Sequence, residues 1–209
     1  MKYNKNEITK VAFRKFLENG YESPIISDLQ NELGMPKGAM YRHFKNKEEL
    51  FKNVIDCYFF NTIKKFMIID YDTTHPIPEI IHKIYRRQRW IQIQLYRIGN
   101  SYETTYRYYC LIGFAISYYT DFMLRFKEFD TFLKKKWKIA LDNSIKRCEI
   151  DEATDTKLMS RLFTQITLLD ICGRKAYSSD FVNNLRDNIE NQSHSLFYLY
   201  KLMKKKTDV

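Results

Sequence analysis

The chain has 209 residues, enough to bury a sizeable core in one or two domains. Six glycines and four prolines, against 29% charged and 44% hydrophobic residues, exclude collagen, linker-like disorder and turn-dense all-β folds. A net charge of +10 favours a polyanionic partner, either nucleic acid or an anionic membrane face.

From residue 6 to 20 the apolar positions Ile8, Val11, Ala12, Phe16 and Leu17 recur three and four apart, which predicts one amphipathic helix stopped at Gly20 in an αL conformation. A second short helix is expected from Ile26 to Leu33, with Ile26, Leu29 and Leu33 inward, Ser23 bracing its start and Gly34 turning the chain at its end. A third, barely two turns long, begins at Pro36, where a missing amide donor costs nothing, and runs to His43. The next opens at Asn46-Lys47-Glu48-Glu49, where Asn46 can cap and Glu49 can answer it, and continues through Leu50, Phe51, Val54, Ile55, Tyr58 and Phe59 to Ile69. A polar, proline-bearing stretch from Asp70 to Pro78 breaks the pattern. Helices are then expected at 78–98, 102–126, 128–149, 153–174 and 179–205, with short polar turns between them.

Cys57, Cys110, Cys148 and Cys172 form no Cys-x-x-Cys pair, so they read as buried free thiols rather than a zinc or redox site. The start lacks the apolar run of a signal peptide, and no segment offers a membrane span. A soluble cytoplasmic protein without stable membrane association is expected.

Two short helices joined across a glycine, followed by an element carrying Lys, Tyr, Arg and His, form a helix-turn-helix pattern able to lay one helix in a DNA major groove. Met40 and Phe44, four residues apart, point to the core, while Lys37, Tyr41 and Arg42 point away from it. Gly38 lets the backbone approach a base or phosphate, and Ala39 can touch a thymine methyl. Tyr41 and His43 can donate to phosphate oxygens, and Lys47, in the first turn of the following helix, can meet another. Arg42 and Lys37 are the side chains suited to guanine edges, although Lys37 can equally serve a phosphate.

The run Gly34-Met35-Pro36-Lys37-Gly38-Ala39-Met40-Tyr41-Arg42-His43-Phe44-Lys45-Asn46-Lys47-Glu48-Glu49-Leu50 resembles the signature of the TetR (tetracycline repressor) family of transcriptional regulators. Ala12, Phe16, Gly20-Tyr21 and the second helix extend that resemblance over residues 5–55; beyond it the chain matches only in helical layout. Two positions depart from the family pattern. Pro24-Ile25 stands where a hydroxyl-bearing cap is usual, and Pro36 replaces a Ser or Thr that often reaches phosphate, leaving Ser23 or Ser27 to supply backbone contacts. The resemblance implies an all-α fold in which a three-helix DNA-binding domain with a helix-turn-helix, residues 1–50, joins a C-terminal helical bundle for ligand binding and dimerisation, residues 51–209. The candidate DNA contacts are Ser27, Pro36, Lys37, Gly38, Ala39, Tyr41, Arg42, His43 and Lys47.

The middle of the chain is rich in rings: residues 85–132 carry Tyr85, Trp90, Tyr96, Tyr102, Tyr106, Tyr109, Phe114, Tyr118, Tyr119 and Phe122. These can fill a helical core, or, as the resemblance implies, line an internal pocket for a small, largely apolar effector. The candidate ligand residues are Arg86, Trp90, Tyr106, Arg107, Tyr109, Tyr118 and Phe122, with Arg86, Arg89 and Arg107 able to meet an acidic group. The resemblance also implies that the last two helices form a homodimer interface, with Leu162, Ile166, Leu169, Leu185, Ile189 and Leu196 as candidates and intramolecular core as the alternative. A two-fold dimer would read a palindromic double-stranded operator.

Lys83, Arg86, Arg87, Arg89 and Arg97 fall within residues 83–97 without one acid, which leaves open a solvated face, a counter-charge to a ligand or a basic membrane-surface module. No enzyme motif is found, and His43, His75, His82 and His194 are scattered, so neither catalysis, a cofactor nor a metal is expected. The expected function is that of a ligand-responsive repressor. The alternatives are a DNA-binding regulator without a small-molecule ligand and the membrane-surface module.

Overall fold

The computed structural model of the chain describes residues 4–23, 25–36, 38–101, 103–172 and 185–204, and among these it is helical with no strand. In chain order the helices are α1 (Lys5–Asn19), α2 (Ile25–Leu33), α3 (Lys47–Ile55), α4 (Asn61–Asp70), α5 (Ile77–Gly99), α6 (Glu103–Tyr118), α7 (Phe122–Lys146), α8 (Thr156–Cys172) and α9 (Leu185–Met203). A 3₁₀ turn at Ala39–Arg42 separates α2 from α3, and a π turn at Asp56–Phe60 joins α3 to α4. The chain divides into two compact units, residues 1–64 with 92–123 and residues 65–91 with 124–209. The first unit therefore takes in more than the 1–50 segment.

In the first unit α1 begins with a reciprocal cap. The Asn4 side chain accepts from the Glu7 amide at 2.8 Å and the Glu7 carboxylate accepts from the Asn4 amide at 3.3 Å. Its inward stripe, Ile8, Ala12, Phe16 and Leu17, meets Ile25 and Leu29 of α2, Leu50, Phe51 and Val54 of α3, and Leu111, Ile112 and Ala115 of α6 in one core. Gly20 ends α1 with φ 75° and ψ 177°, outside the αL region expected of it but still a conformation that glycine alone adopts easily. Helix α2 starts at Ile25, and the Ser23 hydroxyl donates back to the Gly20 carbonyl at 3.1 Å instead of capping α2.

The expected helix from Pro36 to His43 is only the 3₁₀ turn, because Gly38 takes φ 83° and interrupts any helix running through it. The expected helix from residue 46 to 69 is present with a π turn inserted. There the hydroxyl of buried Tyr108 donates to the Tyr58 carbonyl at 3.0 Å, a side-chain bond to the backbone of the π turn. The break expected near residue 127 lies instead at residues 119–121. The Tyr119 hydroxyl donates to Asp56 at 2.8 Å and Lys52 pairs with Asp121 at 3.6 Å, which pins the turn on α3 and the π turn.

In the second unit α5 presents Ile77, Ile80 and Ile81, and α7 presents Trp137, Ala140 and Leu141, with Trp137 edge-on to Tyr71 at 5.4 Å and against Phe163 of α8 at 4.7 Å. Helices α8 and α9 pack on each other. Ile189 and Leu196, named above as interface candidates, are 3% and 2% exposed and are covered within their own chain. Leu162 and Ile166 are half-buried, and the side chains of Leu169 and Leu185 lie outside the described residues. Among the described residues, the exposed large apolar positions of the pair are Leu158, Tyr198 and Leu202.

Candidate nucleic-acid interface

Met40 is 0% exposed and Phe44 1%, so these two side chains root the 3₁₀ turn in the core of the first unit. With its inward face so anchored, the turn presents Tyr41, 57% exposed, and Arg42 to solvent. Ser27 is exposed on α2, Pro36 and Gly38 are exposed in the connection, and Ala39 and His43 are half-buried. Lys37 lies outside the described residues. A Cβ at Gly38 would meet nothing within 4 Å, so the glycine is required by its backbone angle and the space above it is open. This arrangement offers a phenol, a guanidinium and an unobstructed stretch of backbone on one short turn, the donor types that phosphates and base edges accept.

The following helix is fixed by Asn46, whose side chain accepts from the Glu49 amide at 2.8 Å. Glu49 answers one residue earlier than expected, its carboxylate accepting from the Lys45 amide at 2.8 Å. Lys47 does not point into open solvent. Its ammonium donates to the Ser23 carbonyl at 3.0 Å and lies 4.6 Å from the centroid of the Tyr21 ring.

Tyr21, part of the family resemblance, and Tyr118, a candidate ligand residue, meet in one group of contacts. The Tyr21 ring stacks on Tyr118 at 4.1 Å and meets Phe51 edge-on at 4.6 Å, and the Tyr118 hydroxyl donates to Glu22 at 2.8 Å. Burial, with Glu48, Tyr118 and Glu22 nearby, pushes the Tyr21 phenol up to about 12. The hydrogen bond to Glu22 raises that of Tyr118. Both phenols stay protonated and able to donate at neutral pH. Turn residues such as Glu22 carry no periodic signal, which is why only their contacts mark them.

The seven candidate ligand residues do not converge on one described cavity. Arg86 and Trp90 are exposed in the second unit, Trp90 with the Arg87 guanidinium 5.8 Å from its ring centroid. Tyr106 and Tyr109 are half-buried on α6, and Tyr118 is engaged as described. Phe122 is 0% exposed and packs on Phe59 at 5.6 Å and Phe60 at 5.2 Å, a core position. Arg107 donates to the carbonyls of Leu17, at 3.3 Å, and Glu18, and pairs with Glu103 at 2.9 Å. A groove of about 510 Å³ in the first unit, floored by Val11, Phe13, Leu33, Tyr58 and Ile98, is lined by none of the seven. No cluster of His, Cys, Asp or Glu among the described residues could hold a metal ion, and no helix among them is long and apolar enough to cross a membrane.

Residues 8–54 match the family of bacterial regulatory proteins known as the tetR family, the stretch that folds as α1, α2, the 3₁₀ turn and α3. Over this stretch the chain is similar to the TetR family. Among curated relatives it is 31% identical over 83 residues to the uncharacterized HTH-type transcriptional regulator YerO of Bacillus subtilis, covering 40% of this chain and 29% of YerO. It is 28% identical over 83 residues to IcaR of Staphylococcus epidermidis, the negative transcriptional regulator of a biofilm operon, covering 39% of this chain and 44% of IcaR. The matched stretch thus spans less than half the length of either relative.

Solved structures of transcriptional regulators share the fold over most of the chain. A regulator from Chloroflexus aurantiacus superposes with a TM-score of 0.63 at 16% identity, covering 95% of this chain and 94% of that one. The ketosteroid regulator KstR2 of Mycobacterium tuberculosis superposes with a TM-score of 0.59 at 15% identity, covering 99% and 97%. At this identity the likeness speaks for the all-α architecture alone.

Proposed function

We propose that this chain is a TetR-family transcriptional regulator, a repressor, that binds a palindromic double-stranded operator as a homodimer. The observation that carries the reading is the 3₁₀ turn, where Met40 and Phe44 are buried and Tyr41 and Arg42 project outward. In this reading residues 1–50 serve as the DNA-binding domain and 51–209 as the ligand and dimer domain. Arg42, with Lys37 by its place in the sequence, reads base edges; Tyr41, His43 and Ser27 hold phosphates; Pro36, Gly38 and Ala39 keep the backbone close to the groove. The naming of IcaR as a negative regulator supports repression over activation. Helices α8 and α9 pair two copies through Leu158, Leu162, Ile166, Tyr198 and Leu202, which their own chain leaves wholly or partly uncovered. A small, largely apolar effector releases the DNA by binding more tightly to the conformation that cannot hold it.

The test is selection of bound DNA from a random duplex pool near physiological salt, run beside Tyr41→Ala with Arg42→Ala. An enriched palindrome that the double variant fails to select is the expected result. Weak binding erased by salt, without enrichment, overturns the reading and directs attention to anionic vesicles as the partner of the basic α5 segment. A second reading, a regulator with no small-molecule effector, is favoured by Phe122 and Arg107, which are occupied within the fold.

A further inference from the structure

We propose that the groove of about 510 Å³ in the first unit is a binding site for a compact apolar carboxylate, a fused-ring aromatic acid in the simplest case, held by the Tyr58 hydroxyl and the Lys10 ammonium. The inference goes beyond the effector reading above, which gives the ligand to residues 51–209, and it stands whether or not the chain binds DNA. The groove lies along α1, where Val11 and Phe13 meet Leu33 at the end of α2, Tyr58 in the π turn and Ile98 near the end of α5. Its volume is that of a small-molecule site. Val11 and Leu33 are only half-buried and Ile98 is 40% exposed, so the floor leaves apolar surface in water that a ligand would cover.

The walls are held in place before any ligand arrives. Phe13 and Tyr58 stack at 3.9 Å with 9° between their planes, the Tyr108 ring meets Phe13 edge-on at 6.2 Å, and the Tyr108 hydroxyl holds the Tyr58 carbonyl. At the rim Arg14 of α1 pairs with Glu32 of α2, which ties the two helices together. A flat apolar body therefore finds a shape that needs little further ordering on binding.

The polar groups set the charge of the ligand. Glu32 is taken by Arg14 and by Lys15 at 3.2 Å, Arg14 also reaches Glu18 at 3.7 Å, and the Glu7 carboxylate accepts from the Asn4 amide at the head of α1. Lys10 at the same rim is exposed, and among the described residues it makes no ion pair or hydrogen bond. The Tyr58 hydroxyl has no partner among them either, and burial, with Cys57 beside it, raises its phenol, so it stays a donor at neutral pH. The two groups left over are thus an O–H donor and a cation, and one carboxylate satisfies both. A cationic ligand would find only acids that already have partners.

The experiment titrates 2-naphthoate, and its neutral methyl ester, into the full chain by isothermal calorimetry, for the unsubstituted protein, Tyr58→Phe, Lys10→Met and Val11→Phe. The unsubstituted chain should bind the acid, and the ester more weakly. Tyr58→Phe keeps the ring on Phe13 and should weaken the acid roughly tenfold or more, since a hydrogen bond to a charged acceptor is lost. Lys10→Met should weaken the acid by up to about fivefold, as an exposed ion pair does, and leave the ester unchanged. Val11→Phe fills the floor and should abolish binding of both. Tyr58→Phe and Lys10→Met remove no contact of the fold, so they decide the matter even if Val11→Phe fails to fold. No binding of 2-naphthoate, or binding that these two variants leave unchanged, as a site in the second unit would give, overturns the proposal. Equal affinity of the unsubstituted chain for acid and ester overturns the carboxylate assignment and the proposal with it.

Discussion

Arg107→Met should destabilise the protein by removing a cap from a helix that Arg107 does not belong to. The last carbonyls of α1 have no intrahelical donors, and α1 carries no basic residue in its last turn. Gly20 donates to the Phe16 carbonyl at 2.9 Å, and the Arg107 guanidinium of α6 supplies the Leu17 and Glu18 carbonyls. The cation therefore meets both unpaired acceptors and the negative end of the helix dipole. Two charge-assisted bonds would be worth about 3–6 kcal/mol if fully desolvated. The Arg107 side chain is 41% exposed, so solvent screening brings the expected loss to about 1–2 kcal/mol. For a chain of this length that lowers the melting temperature by roughly 2–8 °C.

The comparison variant is Glu103→Gln. It removes the carboxylate that pairs with Arg107 one helical turn away but leaves the carbonyl bonds, and an exposed pair of this kind contributes only about 0.3–0.5 kcal/mol. Thermal and urea unfolding followed by circular dichroism would separate the two contributions. A melting temperature of Arg107→Met equal to that of the unsubstituted chain, or a loss no larger than that of Glu103→Gln, refutes the capping argument. Retained stability together with loss of the shift given by an apolar acid would return Arg107 to the ligand role suggested by its place in the aromatic belt.

Gly38→Ala should cost about 1–2 kcal/mol in urea unfolding from its φ of 83° alone, since no atom obstructs the added methyl, and Gly38→Asn should cost less; equal losses would point to packing instead. Met40→Ala should cost about 2–5 kcal/mol and weaken duplex binding with it, because this side chain is the root of the exposed turn. In the second unit the Arg147 guanidinium, with the Ser144 hydroxyl, holds the Glu149 carboxyl below its ordinary value despite partial burial. A depressed folded value contributes stability above the ordinary carboxylate range that is lost as pH falls through the folded value, so Glu149→Gln should flatten the acid side of a stability–pH curve; an unchanged acid limb would show the pair to be inert.

Where local signals agreed, the sequence was legible. Helix α5 was bounded within one residue because Pro76 and Pro78 sit at its start and Gly99 at its end, and a Cβ at Gly99 would meet the Thr104 side chain. The break at residues 119–121 was not legible, since it contains neither glycine nor proline and is imposed by Asp56, Lys52 and Asp121. The π turn was hidden for a related reason. Its inserted residue shifts the phase of the apolar stripe by less than a short pattern can reveal, while the Tyr108 hydroxyl that bonds to the turn lies 50 positions away in sequence. Tyr108 itself could have been found, for it falls on the stripe of Leu111, Ile112 and Ala115, whereas Tyr106 and Tyr109 fall beside it.

The same limit applies to the charges of the candidate interface, where residue type shows what a side chain can do and its contacts decide what is left for a partner. Lys47 is engaged at the Ser23 carbonyl and Arg107 at the end of α1, so two cations that suit phosphate and ligand in the sequence also serve the architecture of the first unit. Within the described residues from 36 to 47, the exposed cations are Arg42 and Lys45.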